Sequence, residues 1–268
     1  MKHISLLTSA RWLFAAGVVG LGLLSLFSGD FALNWQPVPN WLPARDILAR
    51  ISGLLLCCGG IGMLLTRLAI PSALTMAIYW LLSALLIHAP RAFQHPLDVG
   101  SWLGCAENLL VACGAWIIFR SLTAFPLESL TAARVVASIA YIILGVSHFR
   151  YFAITAGMVP PWIPGHPFFA GLTGAGHLAA GIALLAGVIP RLAGRLEAAM
   201  ITSFVLLLHL PGALQQPGSR LQWTMVFIAS AMAASAWAVS DTARAYSWFR
   251  GTEILVTRRR RPQAATTS

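Results

Sequence analysis

Apolar residues run along this chain in eight long stretches, at about 11–28, 47–66, 70–89, 101–120, 132–150, 168–188, 196–212 and 221–240. Each approaches twenty residues, the length a helix needs to cross the hydrocarbon core of a bilayer. Gly and Ala recur within them, and small residues let helices approach closely in lipid. The pattern predicts an all-α polytopic integral membrane protein with eight transmembrane helices, whose first partner is the lipid bilayer.

Polar residues are sparse, and one polar string occurs twice. HAPRAFQHP, from His88, ends the third stretch, and HLPGALQQP, from His209, ends the seventh. The shared pattern is His-x-Pro-x-Ala-x-Gln-x-Pro at an offset of 121 residues. The same offset matches Val38-Pro39 and Trp41 with Val159-Pro160 and Trp162, Gly53 with Gly174, Gly60 with Gly181, and Trp102 with Trp223. Upstream it becomes 123, where Arg11 meets Arg134 and Gly22 meets Gly145. A register held across several helices predicts a duplicated unit. One four-helix repeat covers 1–124 and a second covers 125–245, with a basic tail over 246–268. Four helices return the chain to its starting side, so the repeats are parallel, related by a pseudo-two-fold axis along the membrane normal. Two separate bundles and one interleaved eight-helix body both fit. The first stretch has a counterpart in mid-chain, so it reads as a span rather than as a cleaved leader.

Composition agrees with the pattern. The chain has 268 residues, 58% hydrophobic and only 10% charged, with mean hydropathy +0.76. Its net charge of +10 raises the question of nucleic acid. The placement of the charge answers it, because no aromatic or Gly-rich recognition pattern accompanies the basic run Arg258–Arg261. With the N-terminus inside, thirteen Lys and Arg residues fall on inner segments and five on outer ones: Arg45, Arg50, Arg91, Arg150 and Arg220. The positive-inside rule then places both termini in the cytoplasm. A bacterial inner membrane is the expected location.

The candidate chemistry gathers toward the outer side. Pro90 and Pro211 are expected to terminate helices three and seven, because proline lacks an N–H and disfavours helix before it. That leaves His88 and His209 at the helix ends and Gln94 and Gln215 in outer loops, with Trp41 and Trp162 in neighbouring outer loops. Two readings stand. The residues are anchors and helix terminators, or they line a polar pocket once from each repeat. His148 falls at the outer end of helix five, Glu107 about two turns into helix four, and His177 near the midplane of helix six. Ionisable residues at such depth are costly and become functional candidates. Glu107 and His177 stand out further, because at offset 121 they face Ile228 and Leu56.

No two histidines stand at i, i+4, so no metal site is assigned. Cys57, Cys58, Cys105 and Cys113 contain no Cys-x-x-Cys and read as small packing residues. No Gly-rich phosphate loop, nucleophile elbow or paired carboxylates occur.

The second repeat resembles the DoxX family of small four-helix bacterial membrane proteins. The resemblance rests on Gly145-Val-Ser-His148-Phe149, the loop Val159-Pro-Pro-Trp-Ile-Pro164, Thr173-Gly174 followed by Gly176-His-Leu-Ala-Ala-Gly181, and the basic turn at Arg191. It covers roughly 132–212 and reaches the first repeat through the internal match. The chain departs from the family pattern where members often carry Glu in the second helix and this chain has His177. It departs again where an Asn-rich string often ends the third helix and this chain has His209-Leu-Pro211. The family takes its name from a thiosulfate:quinone oxidoreductase, so the resemblance implies a membrane redox or respiratory role with a quinone as possible ligand. A small-molecule permease and a non-catalytic assembly factor with an unidentified protein partner are the alternatives. The permease reading calls for a discontinuous helix near Gly59-Gly60 or Gly174–Gly181.

Overall fold

A computed structural model describes residues 2–123 and 128–242. The tail expected over 246–268 and part of the linker between the halves lie outside the described residues. The described residues contain no strand, and eight helices are long and apolar enough to span a membrane. They are α1 (Lys2–Ser28), α2 (Arg45–Leu64), α3 (Ala69–Gln94), α4 (Val99–Ser121), α5 (Glu128–Arg150), α6 (His166–Ala186), α7 (Pro190–Gln215) and α8 (Arg220–Thr242). A short helix, Phe152–Met158, sits between α5 and α6. Leu54, Ile61, Leu86 and Leu196 are among many large apolar side chains left exposed, as lipid-facing positions are.

Helices α4 and α8 form the centre and are the most buried spans. They meet where a Cβ on Gly114 would lie 2.0 Å from Ser235 Oγ, so only glycine fits there. Around this pair α3 packs on α4 and α7 on α8. The first helix of each half crosses to the other: α1 packs on α8, and α5 packs on α4. The body is therefore interleaved rather than two separate bundles. Each first helix also lies tightly on the second helix of its own half. A Cβ on Gly22 would lie 2.6 Å from Gly53 O, and one on Gly145 would lie 2.8 Å from Gly174 O.

The expectation that Pro90 and Pro211 end their helices is not met. α3 and α7 run on to Gln94 and Gln215. Each contains a π-helical segment just before its proline, Ser83–His88 and Val205–His209. In both, the residue after the segment bonds five residues back, Ala89 N–H to Ala84 O and Leu210 N–H to Val205 O. A fresh α stretch then begins with proline in its first turn, where a missing N–H costs nothing. Gln94 and Gln215 consequently close the helices instead of lying in loops.

At the face carrying loops 29–44, 95–98, 151–165 and 216–219, called the distal face here, two polar clasps join the halves. Asp30 pairs with Arg45 and with Arg220 (2.9 Å) at the start of α8. Tyr151 donates to Asp98 (3.1 Å), whose carboxylate caps α4 by accepting from Gly100 N and Ser101 N. Burial acts to raise the Asp30 pKa, but hydrogen bonds from Arg220 and Arg45 outweigh it and the net shift is downward. Asp98 is lowered to about 2, chiefly by its hydrogen bond from Ser101.

Candidate functional site

A cavity of about 590 Å³ opens among α4, α5, α6, α7 and α8 toward the distal half. Its wall is mainly apolar, including Leu103, Leu144, Phe169, Phe204, Ile228 and Met232. Four candidates from the sequence reach it: Glu107, His148, His177 and His209. They come from four different helices. Concave, largely apolar sites with a few convergent polar groups are the usual form of small-molecule sites.

The polar groups differ in how they are held. His148 Nδ1 lies 3.1 Å from Thr173 Oγ1, and its ring meets that of His177 edge-on at 4.9 Å. Phe204 packs on both rings, at 6.3 and 5.9 Å between centroids. His177 is fully buried, and its Nδ1 stands 2.6 Å from Glu197 Oε1. Glu197, also fully buried on α7, was not singled out in the sequence. The contrast that marked Glu107 and His177 marks it too, since at offset 121 it faces Met76. His209 is 9% exposed and makes no hydrogen bond with another described residue.

The remaining candidates lie elsewhere. His88 is closed into a network of its own: its Nε2 lies 3.0 Å from Trp35 O and 3.1 Å from Asn108 Nδ2. Asn108 in turn donates to Gly104 O (2.9 Å) and accepts from Ser83 Oγ (2.8 Å). At offset 121 Asn108, Ser83 and Gly104 face Ala229, Phe204 and Met225, and all three of those line the cavity. The polar plug around His88 is thus replaced around His209 by apolar cavity wall. Gln94 and Gln215 are exposed, as are Trp41 and Trp162 at 79% and 64%. None of these four lines the cavity, and the indole in its wall is that of Trp35.

Both glycine-rich stretches considered for a discontinuous helix, near Gly59-Gly60 and over Gly174–Gly181, are unbroken helix. All four cysteines are free. Among the described residues no three His, Cys, Asp or Glu side chains are grouped as metal ligands.

No family model matches the chain, no curated protein matches it, and no solved structure matches it.

Proposed function

We propose that this chain is a DoxX-like protein of a bacterial inner membrane that holds a small membrane-soluble ligand, first of all a quinone, in service of a membrane redox process. The observation that carries the reading is the convergence of Glu107, His148, His177 and His209 on one apolar cavity. A ring with carbonyl or hydroxyl oxygens suits such a wall. The apolar side chains take the ring and tail, while the carboxyl and imidazole groups hydrogen-bond the oxygens. The cavity volume falls within the range of roughly 300–1,000 Å³ that small-molecule sites occupy.

The chain's architecture is read as two copies of one four-helix unit, with both termini cytoplasmic. Matched local features support the duplication. π segments precede Pro90 and Pro211, and Trp102 and Trp223 donate their indole N–H to Pro96 O and Pro217 O at 3.0 and 2.9 Å. The charge asymmetry along the sequence supports the orientation.

The test is extraction of the protein purified in mild detergent, followed by mass spectrometry, with added decylubiquinone as probe. Wild type is expected to carry or take up close to one ring-bearing lipid-soluble molecule per chain. The Glu107→Leu, His209→Leu double variant is expected to lose it while remaining folded. A folded wild type that arrives empty and does not bind decylubiquinone overturns the reading.

A further inference from the structure

We propose that His177 and Glu197 form a proton-exchange site in the wall of the cavity, open to it at His177. The proposal needs the cavity but not the identity of its ligand, so it goes beyond the function above.

The pair is expensively placed. Both side chains are fully buried, and an ionisable pair at membrane depth carries a heavy desolvation cost. A pair kept only to join two helices is expected to have its hydrogen-bonding capacity filled. Here His177 Nε2 and Glu197 Oε2 are buried without a partner among the described residues.

The chain contains its own control for packing. At offset 121 His177 and Glu197 face Leu56 and Met76. Both are fully buried in the hydrophobic core, on α2 and α3. The helix contact closes there with apolar side chains of similar size. The fold itself does not call for the ion pair.

His148 flanks the pair, its ring edge-on to that of His177 at 4.9 Å. The Thr173 hydroxyl donates to Phe169 O (2.8 Å), so it accepts from His148 Nδ1–H. Neutral His148 therefore carries its lone pair on Nε2. His148 is half-buried and lines the cavity beside His177, so the pair meets the cavity at His177 itself. Near the pair, α5 brings Tyr141, which lies close to Glu197 and to Cys113 of α4, and His148, while Glu107 of α4 lines the same cavity. Tyr141 is fully buried with its hydroxyl unpartnered. Helix α8 presents Ser240 and Trp237 to α7, neither of which titrates. Arg134 on α5 makes no ion pair among the described residues. No described cation neutralises Glu197 other than a protonated His177.

The exchange balances with one co-reactant, a hydroxyl-bearing molecule in the cavity that is left as its conjugate base. In the deprotonated state neutral His177 donates Nδ1–H to the Glu197 carboxylate. A hydroxyl in the cavity gives a proton to His177 Nε2, breaking O–H and forming N–H. The His177 Nδ1 proton moves to Glu197 Oε1. The pair then holds a neutral carboxylic acid and a neutral imidazole, and release reverses each step.

The experiment is infrared difference spectroscopy of the full-length protein through a pH titration. The carbonyl stretch of a protonated carboxyl is expected to grow as pH falls and to be lost in Glu197→Gln. Its deuterium exchange is expected to slow by roughly 10²-fold in His177→Phe, the lower end of what a positioned proton-transfer group supplies. The double variant His177→Leu, Glu197→Met should fold like wild type and lack the band. A Glu197 band that ignores pH throughout the folded range overturns the proposal, as does unfolding of the double variant. If decylubiquinone does not bind but the band titrates, the ligand reading fails and the proton site stands.

Discussion

The duplicated string gives one residue type two roles. His88 is fixed by Trp35 and Asn108, whereas His209 stands against an apolar wall. Gly104 makes the first arrangement possible, because a Cβ there would lie 2.5 Å from His88 Nδ1. Gly104→Ala is therefore expected to displace the ring and to cost about 1–3 kcal/mol, read as a fall in thermal midpoint in detergent. The string was visible in the sequence, but the difference between its copies was not. It depends on Gly104 and Asn108, ordinary residues of the next helix that meet His88 only after packing, and on Ser83, which reaches Asn108 rather than His88. Glu197 escaped for another reason. It sits among Arg191, Arg195 and Leu196 at the start of an apolar run, where a charge reads as solvated. The helix begins at Pro190, which carries position 197 two turns inward.

At the scale of elements, the eight spans were legible in number and place, because twenty-residue apolar runs leave few alternatives in lipid, but α3 and α7 extend beyond the expected 70–89 and 196–212 to Ala69–Gln94 and Pro190–Gln215. The prolines misled. A proline after a regular α-helix breaks the ladder, but a π segment before it lets a new α stretch start at the proline. Such π segments recur at functional sites, and periodicity alone carries no mark of a five-residue reach. Since the proline occupies a first-turn position, Pro211→Ala is expected to change stability by less than about 1 kcal/mol. Proline introduced into a regular span costs about 3 kcal/mol or more. Thermal unfolding of the two kinds of variant side by side checks this.

For the whole molecule, interleaving makes the halves dependent on contacts across the centre and on the two distal clasps. Asp30 and Asp98 both have carboxyls held below the ordinary aspartate range. A depressed folded pKa means stability that is complete above the unfolded pKa of about 3.9 and lost as pH falls through the folded value. The thermal midpoint is therefore expected to drop between about pH 4 and pH 2. The drop should be shallower in Asp30→Asn, Asp98→Asn. An equally steep fall in that variant means the clasps do not carry the acid sensitivity.

The cavity wall has a consequence for how the architecture counts. Glu107 comes from the first half and the three histidines from the second. Two copies of the second half would set Ile228 where Glu107 stands. Two copies of the first would offer Ser25, Leu56 and Met76 in place of His148, His177 and Glu197. Neither half is a spare for the other. The chamber thereby draws its polar groups from both halves, and linking the halves in a single chain keeps the two unlike contributions together.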